Sequence, residues 1–256
     1  MRHTVRPSGM RGYFALAAMM VAMAVVMIAA PISLQSASAQ STTIQTRVQF
    51  LHAGSNVGKV EIKLNGDTKV NDFSYGDTSD WIDVDPGSVE LQIEEDRRGI
   101  NYNIFYAVYP VPAGNDYHII ISDQLILASV VDRSPITDGS ARVRVTQASI
   151  DVPAVNVIAT GTDVNFATQL NYPRSSDYVS VPAGTYDLAV NIADSGQQLL
   201  AVPGVTFESN MVYDIVVMGD PSDTDHPVSL TTLSDTTAAG TGAATPIATP
   251  LATPSS

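Results

Sequence analysis

Alternation of apolar and polar residues along the chain predicts an all-β protein. Residues 60–64 read Val-Glu-Ile-Lys-Leu, and residues 89–93 read Val-Glu-Leu-Gln-Ile. A period of two is the signature of strands that bury one face. Asn65-Gly66 follows the first run, and both residue types accept the positive φ of a tight hairpin turn. Beyond the N-terminal leader, no stretch has the period of a convincing helix.

The alternating pattern occurs twice, which indicates an internal duplication. Residues 46–66 align with residues 141–161 without a gap, and the offset hardly drifts over the rest of the copy. The further matches are 75–87 with 172–184 and 117–121 with 213–217.

Each copy has enough alternating runs, separated by Pro/Gly turns, for about seven or eight short strands, which is typical of a β-sandwich. We therefore predict an all-β fold of two tandem immunoglobulin-like or prealbumin-like sandwiches, at residues 40–133 and 140–235. The linker between them is short, with Pro135 and Gly139. Because short linkers restrict bending, we expect the copies to sit end to end.

The two ends of the chain differ in composition from the copies. Residues 1–39 have a basic start, an apolar run and the small-x-small site Ala37-Ser38-Ala39 before Gln40, the order of a cleaved signal peptide. The alternative is an uncleaved anchor, because the apolar run approaches the length of a membrane span. Residues 236–256 repeat Ala-Thr-Pro and predict a disordered tail. We expect a secreted or extracytoplasmic protein without a membrane segment after cleavage, with cell-surface association as the alternative.

Charge and cysteine content narrow the function classes. The chain has 13 Lys plus Arg against 26 Asp plus Glu, a net charge of −13. The leader contains three Arg and no acid, so the mature chain carries 10 − 26 = −16. Such a charge repels phosphate backbones, and nucleic acid is not an expected partner. The absence of cysteine excludes disulfides, thiolate metal sites and a cysteine nucleophile.

Candidate catalytic groups do not form a recognisable set. His52, His118 and His226 lie in different predicted elements, and no Gly-x-Ser-x-Gly elbow is present. We predict that the protein is not an enzyme and that the His52 ring ends the first strand, hydrogen-bonded to loop backbone. The rival reading is a secreted hydrolase, which would need a deep pocket with perturbed acids.

Two acidic clusters are candidate calcium sites, because Ca²⁺ takes oxygen ligands from loops. One is Asp220, Asp223 and Asp225 beside His226, and the other lies within residues 77–85. Neither has an EF-hand pattern, and Asp in solvated turns bonds its own backbone. We therefore predict no cofactor and leave calcium open.

Aromatic residues concentrate in the first copy and suggest a stacking surface for a glycan. Trp81, Tyr102 and Tyr106 are the candidate ligand-binding residues. In regular strand spacing Tyr102 and Tyr106 share one face, while Phe105 and Tyr109 share the other. The alternative is ordinary cross-strand aromatic packing.

Two short motifs carry a family resemblance. Residues 48–54 and 143–149 read Val-Gln-Phe-Leu-His-Ala-Gly and Val-Arg-Val-Thr-Gln-Ala-Ser, and residues 181–186 read Val-Pro-Ala-Gly-Thr-Tyr. These elements resemble a bacterial secreted family, the domain of unknown function numbered 4397. The first copy departs at residues 84–89, which read Val-Asp-Pro-Gly-Ser-Val. The resemblance implies an extracytoplasmic sandwich, often in tandem, and supplies no catalytic residue.

We therefore expect a non-catalytic structural, adhesive or ligand-binding module whose partner is an extracellular protein or carbohydrate. One alternative is a glycan-binding module or a hydrolase accessory domain. The other is a cell-wall-associated scaffold in which the Thr/Pro-rich tail forms a stalk.

Overall fold

A computed structural model of the chain describes residues 45–136 and 138–237. These residues form 17 strands and no helix, which confirms the predicted all-β class. The described ranges accordingly hold no helix able to cross a membrane. The predicted signal peptide, with its cleavage site at Ala37, Ala39 and Gln40, lies outside the described residues. So does the predicted tail after residue 237.

The first copy, called repeat 1, has eight strands. They are β1 (Thr46–His52), β2 (Val60–Leu64), β3 (Asp67–Phe73), β4 (Ile82–Val84), β5 (Gly87–Asp96), β6 (Asn101–Val111), β7 (Asp116–Ile121) and β8 (Ile126–Val130).

The second copy, called repeat 2, has nine strands, one of them only two residues long. They are β9 (Ser140–Gln147), β10 (Val155–Ala159), β11 (Asn165–Leu170), β12 (Arg174–Ser175), β13 (Val179–Pro182), β14 (Gly184–Ile192), β15 (Gln198–Phe207), β16 (Met211–Met218) and β17 (Ser229–Thr236). Because β17 reaches Thr236, that residue ends a strand and does not begin the tail.

Each repeat is a sandwich of two sheets, as predicted. In repeat 1 the inner sheet has the order β4-β1-β7-β8 and the outer sheet the order β3-β2-β5-β6. In repeat 2 the inner sheet has the order β12-β9-β16-β17, with β13 also pairing β9, and the outer sheet the order β11-β10-β14-β15. The first strand pairs in parallel with β7 in repeat 1, and β9 pairs in parallel with β16 in repeat 2.

The alternating residues fill the interior of each sandwich. Val60, Ile62 and Leu64 of β2 are buried, whereas the residues between them are partly exposed. The turn at Asn65 and Gly66 has φ values of 53° and 83°, as the hairpin signal predicts. Period-two spacing therefore places one face of each outer sheet in a core.

The inner sheets differ from the outer ones because they are buried on both faces. A third apolar cluster lies between the two repeats, and none of its members is more than 1% exposed. Its members are Leu51, Ala53 and Ile120 from repeat 1 and Ala148, Val216, Met218 and Leu233 from repeat 2. The predicted end-to-end arrangement is wrong. The inner sheets pack face to face because their second faces are also apolar.

The linker is tied to both repeats by arginine side chains. It runs between the end of β8 at Val130 and the start of β9 at Ser140. Arg142 donates to the carbonyl oxygens of Ser134 at 2.8 Å and Pro135 at 3.2 Å. These bonds hold the linker against β9, which is consistent with restricted bending.

The contact between the repeats predicts the effect of truncating one of its side chains. Leu51→Ala should lower the free energy of unfolding by about 2–5 kcal/mol, because it leaves a cavity among fully buried neighbours. Leu125→Ala is the control, since Leu125 is 47% exposed. Urea denaturation followed by circular dichroism measures both. Equal effects of the two substitutions would contradict a packed interface at Leu51.

Candidate functional site

Trp81, one of the predicted ligand-binding residues, lies at the contact between the repeats. Its ring centroid is 5.4 Å from that of His118, and the Arg47 guanidinium lies 4.6 Å from the centre of the same ring. Both neighbours belong to the network of charged side chains between the inner sheets. Trp81 is therefore not part of an aromatic surface with Tyr102 and Tyr106.

Asp214 is the centre of one half of that network. Its carboxylate accepts hydrogen bonds from Arg144 at 2.6 Å and from the Thr146 hydroxyl at 2.8 Å, and it lies 3.4 Å from Nδ1 of His118 in the other repeat. Arg144 also donates to the Ser129 hydroxyl of repeat 1 at 2.8 Å. Asp214 and His118 are fully buried, so these polar groups join the repeats and face no solvent.

Asp116 and Asp235 form the other half. Arg47 donates to Asp116 at 2.5 Å and reaches across the contact to Asp235 at 2.9 Å. Arg133 of the linker donates to Asp116 at 2.5 Å. Each buried carboxylate thus has cationic partners, the condition under which buried charge is tolerated.

Burial raises the pKa of the buried carboxyl groups, whereas neighbouring positive charges lower it. Burial alone would raise the pKa of Asp214, but the Arg144 charge and the hydrogen bond to His118 outweigh it and lower the pKa to about 2. For Asp235, burial outweighs the Arg47 charge, and its pKa is raised. Burial also raises the pKa of Tyr178, whose ring lies under Arg144, to about 12.

The histidines lie apart from one another, in keeping with their separation in sequence. His52 ends β1, and its Nε2 is 2.9 Å from the Gly58 carbonyl oxygen, which confirms the predicted bond to loop backbone. Burial lowers the pKa of this ring. In repeat 2 the equivalent Gln147 reaches the carbonyl of Pro153, also six residues on, at 3.5 Å. The two side chains therefore tie the strand end to the following loop in both repeats.

The candidate calcium loop has its carboxylates engaged in local hydrogen bonds. Asp220 accepts from the Ser222 backbone at 2.7 Å, and Asp223 accepts from the Asp225 backbone at 2.8 Å. The other Asp223 oxygen is 2.8 Å from Nδ1 of His226. Within residues 45–136 and 138–237, no group of three or more acidic or histidine side chains is placed to hold a metal ion. The bonds of Asp220 and Asp223 to backbone N–H groups two residues further on are the local turn bonds that Asp commonly forms.

Tyr102 and Tyr106 do not share a face, so that prediction is wrong. On β6, Phe105 pairs with Ile93, but the next pair towards the strand's start joins Asn103 with Glu94, and Ile104 is skipped. Such a bulge reverses the alternation of side chains beyond it. Tyr102 consequently lies on the core side, stacked against Arg97 at 5.5 Å, while Tyr106 faces outward.

Exposed apolar side chains nevertheless concentrate at β6. Among the described residues, every large hydrophobic side chain that is exposed belongs to repeat 1. Two of them lie at the ends of β8: Leu125 directly precedes the strand, and Val130 is its last residue. The others, which we call the β6 surface, are Tyr106 and Val108 on the outward face of β6, and Ile100, Tyr102 and Ile104 around the bulge at the start of the strand.

A pocket opens beside the β6 surface, between β6 and the turn that joins β7 to β8. Its volume is about 240 Å³, and Val57, Ile104, Phe105 and Leu125 contribute apolar walls. Glu95 contributes a buried carboxylate to the lining. Burial would raise the pKa of Glu95, but hydrogen bonds from the Gly58 N–H and from Arg97 outweigh burial and lower it.

Repeat 2 provides an internal comparison for β6. The equivalent edge strand is β15, in which Ala201 takes the place of Tyr106, because their partners on β14 and β5 correspond. At the position of Val108, β15 has a bulge at Pro203 and Gly204. The sandwich therefore does not require an apolar outward surface on this strand.

Sequence reasoning missed Ile100, Ile104, Val108 and Leu125. A signal was present, because β6 has no charged residue over its 11 positions in a chain that is 15% charged. Exposure, however, depends on which strand ends the sheet, and the alternating pattern does not specify strand order.

The family model for DUF4397, a domain of unknown function, matches the chain twice, at residues 46–158 and 141–245. The chain belongs to the DUF4397 family. The two matches confirm the tandem arrangement, and each begins at the first strand of a repeat. A search of curated proteins found no match for this DUF4397 chain.

The buried network predicts a pH dependence of stability. The pKa of Asp214 is about 2 in the folded protein and about 3.9 in an unfolded chain. Its ionised form therefore stabilises the fold fully above pH 4, and this contribution is lost as the pH falls towards 2. Asp214→Asn should cost about 3 kcal/mol at neutral pH, because Arg144 loses its buried partner. That cost should shrink below about pH 4.

Urea denaturation of the wild type and the variant at a series of pH values measures this difference. Asp163→Asn, at an exposed position, is the control and should follow the wild type. A difference between wild type and Asp214→Asn that does not change between pH 7 and pH 2 would contradict the assigned charge state.

Proposed function

We propose that the protein is an exported, non-catalytic module that binds another macromolecule through the β6 surface of repeat 1. The observation that carries this proposal is the concentration of exposed apolar side chains on β6, with Tyr106 at 56% and Val108 at 57% exposure. Tyr106 and Val108 are neighbours on the same face of β6, and adjoining exposed apolar side chains are typical of an interaction site.

The difference between β6 in repeat 1 and β15 in repeat 2 supports this proposal. Both repeats have the same sheet order, and in both the outer sheet ends in a long strand, β6 or β15. Only the strand of repeat 1 combines large apolar side chains with high exposure, so folding alone does not account for them. A function specific to repeat 1 does account for the difference.

The non-catalytic part of the proposal rests on the histidines and the buried acids. His118 with Asp214 has the charge pairing of a catalytic dyad, but both side chains are fully buried between the inner sheets. His52 is buried at the end of β1. General base catalysis requires a group that can reach the substrate. His118 and Asp214 instead support the contact between repeats, and His52 ties β1 to the following loop.

Retention of the purified protein on washed envelopes of the source cells tests the proposed function. Tyr106→Ser/Val108→Ser should reduce the bound fraction at least about fivefold, because it removes the apolar anchor side chains. Val130→Ser is the matched control, since Val130 is an exposed apolar residue of repeat 1 outside the β6 surface. It should bind as the wild type does.

Pretreatment of the envelopes identifies the partner class. Loss of binding after protease treatment indicates a protein, and loss after periodate oxidation indicates a glycan. Equal retention of the wild type, the double variant and the control would contradict a binding role for the β6 surface, as would no retention of the wild type.

A further inference from the structure

The free edge of β6 exposes backbone groups as well as side chains. In the described part of repeat 1, β6 ends the outer sheet and pairs only with β5. The Glu90 backbone N–H and C=O both bond Asn65 on the β2 side. Successive residues of a strand direct these groups to opposite edges. Val108, the partner of Glu90, therefore directs its N–H and C=O to the free edge, and so does Tyr106.

Only part of this edge has the features that prevent further strand pairing. Natural edge strands are protected by proline, charge, bulges or short length. β6 has a bulge at Ile104 and a proline, Pro110, at a position that faces the free edge, but between them residues 105–109 pair with β5 without interruption. In repeat 2, by contrast, the bulge at Pro203 and Gly204 interrupts the edge of β15. The β6 edge is thus open over residues 105–109, whereas the corresponding part of the β15 edge is interrupted.

The surroundings of the edge define the chemistry of a partner. Glu90 lies on the same face as Val108 and one strand further in, and the whole chain has an excess of 13 acids. An added strand would lie about 10 Å from Glu90, slightly beyond the Debye length of about 8 Å at physiological salt, so the interaction is partly screened and is strongest at low salt. Lys or Arg in the partner would be attracted, and Asp or Glu repelled. A second copy of this chain would bring the same acidic field, so charge selects against it.

The pocket beside β6 determines which side chains of an added strand would be favourable. Every second side chain of an added strand points to the core side, where the pocket of about 240 Å³ lies beside Phe105 and Leu125. Apolar side chains can contact these two residues, although Arg97 and Asp123 also line the pocket. On the outer side, alternate residues would lie beside Tyr106 and Val108, where β-branched and aromatic cross-strand pairs are favourable.

We propose that β6 binds an extended segment of another protein by strand addition, and that this segment combines apolar residues with Lys or Arg. The proposal rests on the proposed function and names its partner class. Backbone hydrogen bonds at Tyr106 and Val108 supply the pairing, and the pocket and the acidic field select the sequence.

A synthetic peptide of about nine residues, Lys-Val-Thr-Val-Tyr-Val-Thr-Val-Lys with blocked ends, is the probe. Isothermal titration measures its affinity for the full chain. Val108→Pro should weaken binding about tenfold or more, because it removes a free-edge N–H and blocks close approach of the added strand. Thr206→Pro on β15 is the matched control. Thr206 pairs with Thr185 of β14. Asp187, two residues further along β14, accepts a hydrogen bond from the Thr160 N–H on the β10 side, so Thr185 also directs its backbone groups to that side. Thr206 therefore directs its N–H to the free edge of β15.

Two changes to the peptide make the test independent of whether Val108→Pro folds. N-methylation of the central residues removes backbone donors and should abolish binding, and Glu in place of both Lys should weaken it about tenfold. Binding should also slow hydrogen exchange at Tyr106 and Val108. Binding that is unaffected by N-methylation, or no binding of the Lys peptide up to about 1 mM, would overturn strand addition.

The outcome separates this inference from the proposed function. If envelope retention depends on the Tyr106 and Val108 side chains but N-methylation of the peptide has no effect, the binding role stands and strand addition fails. If sedimentation shows a dimer that Val108→Pro dissociates, the occupant is a second copy and the proposed partner class is wrong. If retention is also unchanged by Tyr106→Ser/Val108→Ser, both proposals fail.

Discussion

Packing of the two inner sheets against each other is the contact on which the rest of the structure depends. It buries apolar side chains such as Leu51 and Val216 together with the paired charges around Asp214. Apolar burial supplies the driving force, whereas the buried charges contribute mainly to the specificity of the arrangement, because a shifted register would leave them unpaired. The duplication therefore produced one body with two cores and a shared middle layer.

This arrangement limits where the proposed partner could bind. The inner sheet of each repeat is covered by the other repeat, and His118 is enclosed there beside the half-buried Trp81. The outer sheets remain available, and the two repeats have diverged at their edges. β15 is interrupted at Pro203, while β6 pairs without interruption between the bulge at Ile104 and Pro110. We interpret repeat 2 as the support that covers one face of repeat 1 and leaves its β6 surface for recognition.

The sequence predicts the outer sheets well, because their side chains alternate between core and solvent. It predicts the inner sheets less well. Val216 is apolar, but His118 and Asp214 are polar residues on the faces that meet between the repeats, and their polarity would predict that these faces are exposed to solvent. A polar residue facing another protein layer has the same pattern as one facing water. The bulge that separates Tyr102 from Tyr106 is also invisible in the pattern, since a bulge is defined by strand pairing.

Equilibrium unfolding of the full chain in urea, followed residue by residue through amide hydrogen exchange, tests the central contact most directly. If the inner sheets form one cooperative unit, the most protected amides of β7 and β16 should exchange through the same global opening, with equal free energies. Separate opening free energies for the two strands, with β16 remaining protected after β7 has opened, would show independent sandwiches and contradict the account.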